Sequence, residues 1–390
     1  VKLRRRPEDF RVDELTDVQP TGSGPFALYR LTKQSLGTPE AIDAVLRRWK
    51  LPRDRVAYGG MKDRHAVTQQ HVTIHRGPRH DLRQSNLTLE YLGQVPNAFK
   101  PEHIRGNRFT IVMRSLSADE LSRAEAAAAE LQHDGLPNYF DDQRFGSVPA
   151  SGEFIARAWI QGDYERALQL ALAEHYPFDS AGEREQKRIL RDHWRAWPEC
   201  KRLLERSHRR SIVTYLCDRP GDFRGAWARV NADLRRLYLS AFQSDLWNRV
   251  LSAFLRETCR PDQLVDVELK TTSVPFFAQL DDETRRRVHE TSLPLPSART
   301  HLDAGPTKEL VDRCLGEVGL TMREIRVKYP RDSFFSKGVR TAAVSVDELE
   351  ATSGEDELEP GRKALTLRFT LPRGAYATIL VKRLTVGAGE

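Results

Sequence analysis

Two periodicities divide the chain. Phe10 and Val12 alternate with charged residues, and Phe109, Ile111 and Met113 alternate with Thr110, Val112 and Arg114. Residues 364–371 alternate in the same way. That is the period of a strand with one buried face. Residues 26–31 and 87–92 also read as strands, and 33–37 as a loop. Residues 56–74 read as strand, double-glycine loop and strand. Ile42, Val45, Leu46 and Trp49 instead recur at helical spacing, behind Thr38 as N-cap and Pro39 as first helical residue. Ser117 and Glu120 form a capping box that opens a helix through Leu131, stopped by Gly135. From about Ala150 the helical period dominates: 152–175, a basic stretch at 184–210, 234–255 and 308–318, with short strands within 265–277. Strand patterns return at 337–346 and 364–371, and Tyr376–Leu384 reads as a final strand. The acidic segment 347–359 reads as an exposed turn or insertion. Strands at both ends around a helical middle predict an α+β chain. One mixed-sheet domain, 1–135 and 336–390, is expected to be interrupted by a mostly helical α/β domain at 136–335.

Composition narrows the class. At 390 residues with 30 % charged and 39 % apolar positions, the chain can bury a sizeable core. No apolar run approaches the ~20 residues of a membrane span. The basic start, Lys2 to Arg6, leads into no apolar segment and is not a secretory signal. Cys200, Cys217, Cys259 and Cys314 are scattered, which argues against a disulfide framework and for a reducing cytoplasm. The net charge of +7 points to a polyanionic partner, RNA or DNA before a membrane. The spacing of His65, His71 and His75 matches no metal motif, so no metal site is expected.

Three stretches and one single residue carry candidate chemistry. In Gly59–Gln70 the double glycine permits a tight loop that presents Asp63 between Lys62 and Arg64. A positioned carboxylate there can serve as nucleophile, general base or metal ligand. Asn107 stands at the entrance of a strand, where its amide can meet a ligand. Asn138–Gly146 mixes Tyr139, Phe140 and Phe145 with Arg144: base-stacking aromatics and a phosphate-binding cation, or a loop whose aromatics plug the core. Residues 184–210, with Trp194 and Trp197 interleaved, read either as a grip on an RNA backbone or as a solvated helix face.

Taken together, the motifs resemble the TruD-type pseudouridine synthases. The likeness runs through Pro7-Glu8-Asp9-Phe10, Gly60–Gln69, Gly106-Asn107-Arg108-Phe109, Asn138–Gly146, Ala241–Arg249 and Leu371–Thr378 in order. It implies a pseudouridine-synthase catalytic domain carrying the family's inserted TRUD domain. It implies isomerisation of a flipped-out uridine to pseudouridine in tRNA, at position 13, without metal or organic cofactor. Asp63 would be the catalytic carboxylate, Phe109 the aromatic against the uracil and Asn107 a polar contact to it. Phe10 and Tyr376 would line the pocket. Arg4, where the family carries a Lys, and Lys62 complete the expected substrate-binding set. Asp141 stands where the family has Gly, and Tyr376 where some relatives have Phe. A cytoplasmic enzyme, monomeric and free of the membrane, is the expectation. A catalytically idle RNA-binding or chaperone protein is the alternative, and the intact Asp63, Asn107 and Phe109 speak against it. A metal-dependent nuclease would need a ligand set that the sequence does not offer.

Overall fold

The computed structural model describes residues 1–386. The chain forms two compact units, Val1–Pro137 together with the chain from Val344 onward, and Asn138–Ala343.

The first unit is a mixed sheet. In chain order its strands are β1 (Phe10–Thr16), β2 (Phe26–Gln34), β3 (Val56–Tyr58), β4 (Val67–His75), β5 (Leu82–Gln84), β6 (Leu87–Val95), β7 (Ile104–Leu116), β8 (Asp347–Glu355) and β9 (Lys363–Pro372). They lie in the order β8-β9-β7-β1-β4-β2-β6-β5. β1 pairs with β4 in parallel through Arg11–Val67 and Asp13–Gln69, and β3 pairs antiparallel with the later half of β4. This parallel step sets the middle of β1 beside the start of β4, where the Gly59–Ala66 loop ends.

Helix α1 (Thr38–Trp49) covers one face. Its Ile42, Val45 and Leu46 pack with Tyr29, Leu31, Val72, Ile74 and Leu89. Burying each such side chain contributes ~1.5–3 kcal/mol, more than a helix of this length gains from propensity. Leu28, on the other face of β2, packs with Val95, Phe99 and Ile104. The helix starts one residue earlier than its sequence pattern suggests. Gly37 is the N-cap and Thr38 is already helical, with its hydroxyl used elsewhere.

Helix α2 (Ala118–Asp134) has the expected Ser117–Glu120 capping box and ends at Gly135. Helix α3 (Ala377–Leu384) corrects the expected final strand. Ala377, Leu380, Val381 and Leu384 are buried at helical spacing, and the β-branched Ile379 and Val381 had imitated a strand. Its Arg383 pairs with Glu130 of α2. The acidic segment is a turn only at its end, from residue 357 onward. Its first part is the edge strand β8, whose carboxylates discourage pairing with another chain. Asp356, just beyond it, is buried against Arg114 at 3.0 Å and accepts the Ser115 N–H at 2.8 Å.

The second unit is built on the 27-residue helix Ala232–Thr258, which buries Leu239, Phe242, Leu246, Trp247, Val250 and Leu251. Shorter helices surround it. Residues 152–175 form two helices, Ile155–Gln161 and Tyr164–Leu172, separated at Gly162 with φ +86°. Leu264–Glu268 and Ser273–Phe277 pair antiparallel. All four cysteines are free. Among the described residues, no helix is long and apolar enough to cross a membrane.

Candidate active site

The loop between β3 and β4 is tied down by side chains that come from elsewhere. The Lys62 N–H donates to the Thr38 hydroxyl at 3.0 Å, and that hydroxyl donates to Gln70 Oε1 at 2.8 Å. Gln70 Nε2 donates to the Gly60 carbonyl at 3.1 Å. Lys33 Nζ donates to the carbonyls of Asp63 at 2.7 Å and Leu36 at 2.6 Å, with Lys62 O at 3.4 Å. Thr38, Gln70 and Lys33 are all buried. Gly59 has a packing reason: a Cβ there would stand 2.5 Å from Ile104 Cδ1.

Asp63 therefore leaves a fixed backbone. Its Oδ1 accepts the His65 N–H at 3.1 Å, an Asx-turn contact, and its Oδ2 pairs with Arg4 at 2.7 Å. Arg4 takes a left-handed φ of +54° and lays its guanidinium 4.2 Å over the Phe10 ring. That is a cation–π distance. Phe10 meets Phe109 edge-to-face at 6.4 Å, and Phe109 stacks on Phe369 at 5.4 Å. The register explains the row. Phe10, Val12 and Glu14 of β1 oppose Ile111, Phe109 and Asn107 of β7, so these side chains share one face.

Lys62 turns the other way from Asp63. Its Nζ lies 2.6 Å from Asn107 Oδ1 and 3.0 Å from Glu14 Oε2. Glu14 is buried and also accepts the His71 N–H at 2.8 Å. Burial works against the Glu14 carboxylate, but His71 and Lys62 outweigh it and hold it below the usual range. Asn107 is thus oriented by an ammonium that a buried carboxylate orients in turn.

Arg4 contacts Asp63 and links it to Phe10 and Phe109, whereas Lys62, its neighbour in the chain, binds Asn107. Tyr376 is half-buried and immediately precedes α3, after β9 has paired Pro372 with Gly106. Three residues had no role of their own in the sequence reading of the site: Glu14, Lys33 and Gln70. Their signal was polarity at inward positions of an alternating strand. Glu14 follows Phe10 and Val12, Lys33 follows Tyr29 and Leu31, and Gln70 precedes Val72 and Ile74.

The other two candidate stretches fold into the second unit. Asn138–Gly146 is a core plug: Tyr139, Phe140 and Phe145 are buried, and Asn248 brackets the Phe140 main chain on both sides at 2.9 Å. Asp141 is buried as well, so its charge is not displayed to a ligand. The basic stretch forms three short helices. Trp197 is buried and meets Trp194 edge-to-face at 5.0 Å. Arg188 pairs with Glu185 and Asp192, Arg195 with Glu165, Arg202 with Glu199, and Arg209 with Glu183. Among the described residues, no group of three or more His, Cys, Asp or Glu side chains is placed to hold a metal ion.

With this geometry in place, relatives identify the chain. The family model described as tRNA pseudouridine synthase D (TruD) matches residues 1–384. The "Probable tRNA pseudouridine synthase D 1" of Methanococcus maripaludis is 30 % identical over 98 % of this chain and 99 % of its own length. The tRNA pseudouridine synthase D of Aquifex aeolicus is 26 % identical, over 98 % of each chain. A crystal structure of a TruD protein from Methanosarcina mazei superposes with a TM-score of 0.75 at 23 % identity, over 98 % of this chain and 93 % of that one, and shares the fold. The chain belongs to the tRNA pseudouridine synthase D (TruD) family of isomerases.

Proposed function

We propose that this protein converts a uridine of tRNA, uridine 13, to pseudouridine, with Asp63 as the reacting carboxylate and without metal or organic cofactor. The second unit, Asn138–Ala343, is then the family's inserted TRUD domain, and the reducing cytoplasm its compartment. Asp63 carries the reading. It is the carboxylate of an anchored loop, paired to Arg4 at 2.7 Å, beside a row of aromatic side chains and an oriented asparagine amide.

The reaction is an isomerisation. The C1′–N1 glycosidic bond breaks, the uracil turns, C5 bonds to C1′, the C5 proton leaves and N1 gains one. Whether as nucleophile toward ribose or base, or as the base that removes a sugar proton, the carboxylate has to meet the nucleotide at a fixed place. The loop anchors supply that placement. The target must leave its stack, at a cost of a few kcal/mol. Contact with the Phe10 and Phe109 rings returns ~1–3 kcal/mol. The Asn107 amide, fixed through Lys62, is suited to the polar edge of the base.

The test is direct. Unmodified tRNA is incubated with the protein, without added metal and with chelator, and pseudouridine is mapped by chemical labelling. Wild type should modify position 13, and Asp63→Ala should yield nothing above background. Product from Asp63→Ala at the wild-type rate overturns the assignment of Asp63. Modification confined to another position overturns the target.

A further inference from the structure

Lys33 has unusual company. It is 1 % exposed, yet its three hydrogen-bond acceptors are neutral main-chain carbonyls, those of Leu36, Asp63 and Lys62. Among the described residues, no carboxylate lies within ion-pair distance of its Nζ. An unpaired buried charge is costly. Holding the loop does not demand it, because Thr38 and Gln70 already anchor the backbone on either side of Met61 with neutral groups. What an ammonium adds is three donors on one atom, aimed at two separate chain segments, together with a positive charge under Asp63.

We propose that Lys33 is a positioning residue for the reaction: its ammonium clamps the Lys62–Asp63 main chain to the turn between β2 and α1 and so fixes the Asp63 carboxylate against Arg4. This rests on Asp63 being the reacting group. The clamp depends on a proton. The charged groups facing Lys33 are Asp63 and Glu40, which favour its ammonium, and Lys62, which opposes it. Burial outweighs them and brings the group down to about 8. Above that pH, Nζ offers two N–H bonds and a lone pair to three carbonyl oxygens. One carbonyl loses its donor, and the charge beneath Asp63 disappears.

The experiment measures single-turnover pseudouridine formation from tRNA between pH 6.5 and 9.5, with Asp63→Ala as the inactive control. Wild type should hold its rate up to about pH 8 and then decline. Lys33→Met should be about 100-fold slower at pH 7, the penalty of a small misplacement, with tRNA affinity within about threefold and no break near pH 8. A Lys33→Met rate within threefold of wild type overturns the proposal, as does a break near pH 8 that persists in the variant. If Lys33→Met does not fold, the wild type decides. Its aspartates are labelled with carboxyl ¹³C, and the Asp63 signal is assigned with Asp63→Asn. A chemical-shift step near pH 8 is expected, and a flat signal between pH 7 and 9 overturns the coupling. Absence of product from wild type, beside a clear ¹³C step, would fault the proposed function and leave the clamp standing.

Discussion

The loop Gly59–Ala66 is held by side chains from β1, β2, α1 and β4, whereas the helices between Ala181 and Asp218 largely pair with themselves. In the loop, Lys62 reaches Glu14 and Asn107, 48 and 45 residues away in sequence, through groups that are buried or nearly so. In the helices, Arg188 and Arg202 find carboxylates three or four residues away, out in solvent. Long-range buried pairs fix an atom relative to the whole sheet. Local exposed pairs fix it only relative to its own helix, and contribute little even there. Dense charge therefore marks a built site only where its partners are distant and buried.

Lys62→Met breaks that contrast at its strongest point. It leaves the Glu14 carboxylate buried with only His71 facing it, and the Asn107 oxygen without its ammonium. Removing one partner of a buried ion pair costs ~3–5 kcal/mol. Urea unfolding should show a loss of that size, and the catalytic rate should fall even at temperatures where the protein stays folded. A variant as stable as wild type would place Glu14 among groups that water already reaches.

Acid probes the same network more gently. Glu14, Asp9 and Asp356 are each held below the ordinary carboxylate range. Burial opposes this in all three, and their cationic and N–H partners outweigh it. The unfolded chain therefore takes up protons first as pH falls. The stability these groups contribute is complete above the unfolded values near 4 and drains away as pH drops through their folded values. Glu14→Gln should cost about 2 kcal/mol at pH 7, the scale of hydrogen bonds to a charged group. The difference from wild type should shrink steadily toward pH 3. An unchanged gap at pH 3 would mean that Glu14 does not titrate with unfolding.

Much of this organisation was visible in the residues. Alternation located the strands that carry Phe10, Asn107 and Phe109, and the double glycine located the loop with Asp63. The partners were not visible, for a physical reason. An inward polar residue such as Glu14, Lys33 or Gln70 announces that it needs a partner, but register and the parallel β1–β4 step decide which one it meets. The misread segments share a cause too. Tyr376–Leu384 reads locally as a strand and 347–359 as an acidic turn, and tertiary packing overrides both local readings. Trp194 and Trp197 lent weight to an RNA-backbone grip, but Trp197 is consumed by the core and Trp194 Nε1 donates to Glu165 at 2.9 Å.

The smallest expected effect lies on the other side of the comparison. Arg188 and Arg202 have their guanidinium groups engaged by Glu185, Asp192 and Glu199. Were each also holding a phosphate, Arg188→Gln with Arg202→Gln would reduce the slope of log K against log salt for tRNA by about 0.9 per lost contact. Local neutralisation predicts otherwise. The double variant should bind tRNA with the wild-type salt slope, melt at the wild-type temperature and form pseudouridine at the wild-type rate. A slope lowered by nearly two would show that RNA displaces Glu185, Asp192 and Glu199 from their arginines. The three short helices would then be a phosphate grip held closed by its own carboxylates.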